Sequence, residues 1–234
     1  MAQDLSARIA REAFAFVPGG EMRPLLGALD DWDAFAQSWN DMPLDTQLPD
    51  GHRYRRRRHA TLSAGAGGRE CRVEAHQPHY QGLEYNRLVG GVERWFDPIR
   101  PEIIAGSTFG EVLDFCLRLF GGLRPEADWH IECHQFRIEA RPDAAGQPTP
   151  EGVHRDGVDY VLVLLVNRSN IASGTTTVHD LSGRTLGSFT LSTPLDAALV
   201  DDARVMHGVT SVHPVDASRP AYRDVLVVTF RAKG

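Results

Sequence analysis

The sequence is poor in cysteine, has no long apolar run and carries no excess of basic charge, and each shortage removes a class of protein. Its three cysteines, Cys71, Cys116 and Cys133, are odd in number and lack CxxC spacing. Neither a disulfide framework nor a zinc knuckle is therefore expected, and they read as buried thiols of a reducing compartment. No stretch approaches transmembrane length. The opening MAQDLSARIAREAFAFVPGG breaks its apolar residues with charges at regular intervals, unlike a secretory leader, so a cytoplasmic protein without a membrane role is expected. The net charge of −6 argues against a nucleic-acid partner, because phosphate recognition rests on a basic surface. Internal repeats and low-complexity linkers are missing too.

What is present is an ordinary globular balance, with 42% apolar and 24% charged residues in a chain of 234. A chain of this size buries most of its unfolded surface, so it needs no metal or disulfide to fold, and a bound metal is free to serve chemistry. One domain over 1–234 is expected: a helical part, 1–125, carrying a β-hairpin near 54–79, and a β-rich core, 126–234. Leu5, Ile9, Ala13 and Phe16 recur at three- and four-residue spacing and predict a helix over 4–16. A second helix is expected around Arg23–Trp39. A third spans 107–120, with Ser107 or Thr108 as N-cap and Gly121-Gly122 at its end. YRRRRHATLSA, the turn GAGG and RECRVEAH predict the hairpin, which extends one sheet.

Beyond residue 126 the chain reads as strand and turn. WHIECHQFRIEA, DYVLVLLVN, GTTTVHDL, TLGSFTL, DAALVDD, RVMHGVTSV and RDVLVVTF are short, β-branched segments split by Gly, Pro, Asn, Asp and Ser. The fold class expected is α+β, mainly β: a jelly-roll barrel with N-terminal helices packed on one sheet.

His154-Arg155-Asp156 closes a long proline-containing loop just before an apolar strand. On extended backbone, residues i and i+2 point the same way, so one imidazole and one carboxylate face a common point. With ten histidines in the chain, on the order of one HxD triplet arises by chance, so the triplet alone is weak. Its placement adds weight, because about fifty residues of β-structure follow and then His207 in RVMHGVTSV. Two histidines and one carboxylate leave coordination positions open, a set suited to Fe(II), oxygen and a bidentate co-substrate. The rival triplet His130-Ile131-Glu132 lies on the strand that opens the barrel, with no loop junction to expose it.

A keto-acid co-substrate such as 2-oxoglutarate needs a cation for its far carboxylate, and arginine's planar fork suits that task. Arg223, at the head of the last strand, is the first candidate, with Val225, Val227 and Thr229 on its face; Arg219, before Pro220, is the alternative. The run Arg53–Arg58 reads as a solvated, ion-paired strand rather than a nucleic-acid grip. His76, His79 and His179 have no partner spacing. Asn86, Arg94 and Gly90-Gly91 read equally as turn elements or as substrate contacts.

From Asn86 to Phe230 the chain resembles the bacterial Fe(II)/2-oxoglutarate dioxygenases that include L-isoleucine 4-hydroxylase and related free amino-acid hydroxylases. The residues that carry this are NRLVGGVERWF, CHQFRI, PEGVHRDGVDYV, NRSNIASGTTTV, MHGVTSV and RDVLVVTF. The resemblance implies a double-stranded β-helix, iron held by His154, Asp156 and His207, and a 2-oxoglutarate anchor at Arg223. It also implies O2 as oxidant and a small-molecule substrate, a free amino acid whose aliphatic side chain is hydroxylated. Asp156, as a carboxylate ligand, disfavours a halogenating relative. ASG at 172–174 stands where paired glycines are expected, which bears on substrate identity rather than on iron. His134 and Arg137 are candidates for substrate or co-substrate charge, but their odd offset puts them on opposite strand faces. Two other functions compete: an iron oxygenase acting on nucleic acid or protein, and a stress-response or binding jelly roll with a vestigial site.

Overall fold

The computed structural model describes residues 2–48 and 54–234. Runs rich in apolar and β-branched residues build a seven-stranded antiparallel sheet in the order β1-β9-β5-β12-β4-β2-β3. Its strands are β1 Phe14–Val17, β2 Arg55–Ala64, β3 Arg72–Val73, β4 Trp129–Ala140, β5 Tyr160–Ser169, β9 Ala197–Asp201 and β12 Ala221–Ala232. Two smaller sheets complete a jelly roll. One orders β10 (Val205–Val209), β7 (Thr175–Asp180) and β8 (Thr185–Thr190), and the other pairs β11 (Val212–Pro214) with β6 (Ile171–Ser173).

The large sheet is buried on both faces, and side-chain parity divides the labour. On the outer face Ile131 and Cys133 of β4, Leu226, Val228 and Phe230 of β12, and Leu162 and Leu164 of β5 meet the helices. Helix α5 (Ser107–Leu123) docks there through Val112, Phe115, Cys116, Leu119 and Phe120, flanked by α1 (Ala2–Glu12) and α3 (Trp32–Gln37). Phe120 stacks on Tyr160 at 5.0 Å and meets Phe230 edge-on at 5.2 Å. Burial of each such ring contributes on the order of 1.5–3 kcal/mol. The inner face carries the opposite parity: Glu132, His134 and Phe136 of β4 and Arg223, Val225, Val227 and Thr229 of β12 face a cavity that β7 and β10 close from the other side.

Several local expectations shift. The first helix stops at Glu12 instead of running to 16, because Ala13 turns to φ 64° and Phe14–Val17 pairs with β9 as an edge strand. Arg23–Trp39 is not one helix: after the four-residue α2 (Gly19–Met22), a single 3₁₀ turn (Arg23–Leu25) and the short α3 are joined by coil through Gly27. Helix α5 begins at Ser107 with Gly106 as its capping position and runs through Gly121-Gly122 to Leu123. Its first turn is capped from a distance. Asp31 accepts from the Thr108 backbone N–H at 2.8 Å and from the Ser107 hydroxyl at 2.9 Å. The hairpin forms, but β3 pairs with β2 at only Leu62↔Val73 and Ser63↔Arg72. From there to α4 (Pro101–Ile104) the chain is largely irregular and is tied back by single bridges, His79↔Arg94 and His59↔Pro98. No described helix is long and apolar enough to cross a membrane.

Candidate active site

PEGVHRDG leaves the long loop and runs beside β10. The backbone N–H of His154 donates to the His207 carbonyl and the N–H of His207 to the His154 carbonyl, both at 2.9 Å. This pairing sets the two imidazoles side by side, with ring centroids 4.7 Å apart. Asp156 places its carboxylate between them, Oδ1 3.4 Å from His154 Nε2 and Oδ2 3.7 Å from His207 Nε2. The three sequence-predicted ligands are thus brought together, their donor atoms within 4.8 Å of one another.

The loop that presents them is held by specific chemistry. Gly152 and Gly157 adopt φ 84° and 81°, a region costly for residues with a Cβ. A Cβ on Gly157 would also lie 2.5 Å from the Tyr85 ring. The buried Asp202 carboxylate accepts from the backbone N–H groups of Asp156, Gly157 and Val158 at 2.9, 2.8 and 3.1 Å. His154 Nδ1 lies 3.0 Å from the Gly152 carbonyl; the carbonyl only accepts, so Nδ1 carries the proton and Nε2 faces the cluster.

The electrostatics suit a cation. Burial works to lower the His154 pKa, but the hydrogen bond and charge of Asp156, with Glu151 adding to them, raise it to about 9. Burial and the neighbouring His154 push His207 down to about 4. Asp156 stays well below the usual carboxylate range: burial opposes this, and the His154 hydrogen bond with the His207 and His154 charges overcome it. Burial, then the charge of Asp156, raises Asp202 to about 7. Two imidazoles and a carboxylate on one side of a point fit a divalent, oxygen-activating metal with open positions. Edges of 3.4 and 3.7 Å lie slightly outside the roughly 3 Å expected between neighbouring ligands at about 2.1 Å from a metal.

The cluster opens into a cavity of about 330 Å³. Arg223, 3% exposed, lines it, and neither its Nε nor its Nη2 has a hydrogen-bond partner among the described residues. Burial, reinforced by Arg168, lowers its pKa to about 10. A buried guanidinium with idle donors fits a carboxylate, which it can grip with two parallel bonds. Arg219 sits exposed in the turn at 216–219, outside the cavity. His134 faces the cavity. Arg137 does not; on the helix side of β4 it grips Asp224 at 2.7 Å through both Nε and Nη2, and its proposed substrate contact is corrected to an internal ion pair.

Other lining residues have little sequence signature. Glu151 Oε1 lies 3.3 Å from His154 Nε2. Glu132 Oε2 accepts from His79 Nδ1 at 2.7 Å, and the Nε2 atoms of His134, His59 and His130 lie at 3.5, 3.6 and 3.6 Å from its oxygens. The rival triplet's His130 and Glu132 do share the cavity face of β4, and the alternation of HIECHQF adds His134 to it. His79 and Arg94 come from the irregular segment, where no period points inward.

Most of the arginine run is spent internally. Arg55 pairs with Asp45 at 2.7 Å, Arg56 with Glu139 at 2.6 Å, and Arg58 donates to the Pro98 carbonyl at 3.1 Å. Arg57 points into the cavity, and Arg53 lies outside the described residues. Asn86 serves a turn, accepting from the Leu88 and Val89 N–H groups at 3.1 and 3.0 Å.

The family model for 2OG-Fe dioxygenases matches residues 36–229. Among curated relatives, the 3(1)-hydroxy-L-isoleucine 4-dioxygenase of Pantoea ananatis is 25% identical over 240 residues, covering 97% of this chain and 95% of its own. The L-isoleucine-4-hydroxylase of Bacillus thuringiensis is 30% identical over 159 residues, 66% of this chain and 65% of its own. A crystal structure of a bsmA homologue from Methylobium petroleophilum PM1 superposes with a TM-score of 0.90 at 36% identity, covering 100% of this chain and 94% of that one. The match spans the segments that carry the His154–Asp156–His207 cluster and Arg223, and the chain belongs to the 2OG-Fe dioxygenases, enzymes that use Fe(II), 2-oxoglutarate and O2.

Proposed function

We propose that this dioxygenase hydroxylates the aliphatic side chain of a free L-amino acid, with His154, Asp156 and His207 holding Fe(II) and Arg223 holding the far carboxylate of 2-oxoglutarate. One observation carries the reading: a two-imidazole, one-carboxylate cluster and an idle buried guanidinium share one cavity. The substrate class rests on the two curated relatives, both named for isoleucine or its hydroxylated form.

When bound, Fe(II) would supply the activation of O2, the oxidant, whose two oxygen atoms end in the hydroxylated C–H bond and in the succinate left when 2-oxoglutarate loses carbon dioxide. The chain's own residues do the rest. Gly152 O fixes the His154 tautomer, and Asp202 holds the loop so that Asp156 stays between the imidazoles. Arg223 orients the co-substrate from the β12 wall, while Val225 and Val227 keep that wall dry. A small substrate is favoured over nucleic acid because Arg55, Arg56 and Arg58 are engaged internally. A complete ligand set speaks against a vestigial site.

Succinate release, measured with Fe(II) and 2-oxoglutarate against each of the twenty amino acids, tests the substrate. At least one aliphatic L-amino acid is expected to raise it about tenfold or more over the substrate-free rate. Stimulation by an oligonucleotide or a peptide, with none by free amino acids, would contradict the reading.

A further inference from the structure

Two arginines in the cavity have no task in the scheme above. Arg57 (β2) and Arg94 are 4% and 3% exposed, and the Nε of each has no hydrogen-bond partner among the described residues. Arg55 is paired with Asp45, whereas neither Arg57 nor Arg94 has an ion-pair partner among the described residues. Their remaining contacts are neutral: Arg57 donates to His134 Nδ1 at 3.0 Å and lies 3.8 Å over the Phe96 ring, and Arg94 donates to Gln81 at 3.4 Å. Taking a guanidinium out of water without an anion is expensive. Two of them lining one cavity make a site that lacks its anion.

The nearby group of His59, His79, Glu132 and His134 invites a different reading, a second metal site. The proton positions oppose it. Arginine only donates, so His134 Nδ1 accepts, and the neutral ring carries its proton on Nε2, turned toward Glu132 at 3.5 Å. His79 likewise turns its Nδ1 proton toward Glu132 at 2.7 Å. The carboxylate is ringed by N–H groups, which leaves His134 no lone pair for a metal there, and the two guanidinium charges repel a cation. The chain from Glu132 through His134 to Arg57 instead fixes where Arg57 points.

We propose that Arg57 and Arg94 form the subsite for the substrate's free carboxylate, with His134 and Glu132 as positioning residues for Arg57. The substrate class is thereby narrowed to molecules with an unblocked carboxylate, and amidated or peptide-linked residues are rejected. Such discrimination is strong when a buried donor would be left unpaired by the wrong ligand. The inference rests on the amino-acid reading above but can fail separately from it.

The test is anaerobic calorimetry on the protein loaded with Fe(II) and 2-oxoglutarate, titrated with L-isoleucine, L-leucine, L-valine and L-isoleucinamide. The expected result is binding of at least one of the three acids, and of L-isoleucinamide at least about thirtyfold more weakly than L-isoleucine. Arg94→Gln and Arg57→Gln should each weaken the bound acid by about tenfold or more, with 2-oxoglutarate affinity within about twofold of wild type. Arg94→Lys, which keeps the charge, should recover part of the loss, and unchanged melting temperatures separate this from misfolding. Amide binding as tight as the acid, or unaltered affinity in both Gln variants, would overturn the subsite and leave the amino-acid reading standing. A parallel loss of 2-oxoglutarate binding would move these arginines to the co-substrate and overturn it too. So would a second equivalent of metal that persists in His207→Ala. Failure of all three acids to bind a protein that takes up 2-oxoglutarate would remove both proposals.

Discussion

Arg223 illustrates how one side chain's surroundings suit it to a task. It is buried on the cavity face of β12, and two of its donors are idle. A hydrogen bond to a charged group contributes on the order of 1.5–3 kcal/mol, so Arg223→Ala should raise the Kd for 2-oxoglutarate by about 10- to 100-fold. Arg223→Lys should restore only part, because an ammonium offers a point charge and no fork. Equilibrium dialysis with labelled 2-oxoglutarate checks both, and an unchanged Kd in Arg223→Ala would move the anchor elsewhere. At this scale the sequence was partly legible. His154 and Asp156 stood at a loop junction, Arg223 near the start of the last strand and His207 in a short late strand, where spacing carries meaning. His134 and Arg137 could be told apart as a pair but not assigned, because β4 is buried on both faces and both sides of it hold polar residues. Glu151 and Arg94 lie on irregular backbone, which has no period to read.

At the scale of elements, most strands after 126 were legible because β-branched runs are bounded by turn residues; β4 runs Trp129–Ala140, the extent its sequence suggested. Short partners were not. β1, β6 and β11 are three or four residues long and exist through pairing with β9 and with each other, a tertiary effect that local propensity does not contain. The cap of α5 is equally non-local, since Asp31 lies 77 residues before Thr108. Asp31→Ala should therefore lower stability by about 1 kcal/mol, or roughly 2–4 °C in Tm. Thermal unfolding followed by circular dichroism checks this. An unchanged Tm would mean that water serves the helix end as well.

The molecule as a whole is a sheet with two buried faces, one apolar beneath the helices and one charged around the cavity, and the charged face sets its response to acid. His79 titrates at about 4 in the folded chain, chiefly because burial disfavours the imidazolium, against about 6.5 when unfolded. Between those values the unfolded chain binds the extra proton. Its contribution to stability is therefore complete above about 6.5 and lost as pH falls toward 4. Glu132 acts in the same direction at lower pH: burial pulls its pKa up, but the four histidines around its carboxylate, His79 donating at 2.7 Å among them, hold it well below the ordinary glutamate value. From pH 7 to pH 5 the metal-free wild type should lose roughly 5 °C more in Tm than His79→Gln, because the other titrating groups are common to both proteins. Equal slopes for the two proteins would place the acid sensitivity outside this cluster.

The central claim, that His154, Asp156 and His207 hold Fe(II) with 2-oxoglutarate beside Arg223, is tested most directly by anaerobic titration of the protein with Fe(II) and then 2-oxoglutarate, followed by visible absorption. One weak charge-transfer band should grow to saturation at one Fe(II) per chain, and His207→Ala should abolish it while its far-ultraviolet circular dichroism stays that of the wild type. A wild-type protein that binds both components without the band, or a His207→Ala variant that keeps it undiminished, would contradict the assignment.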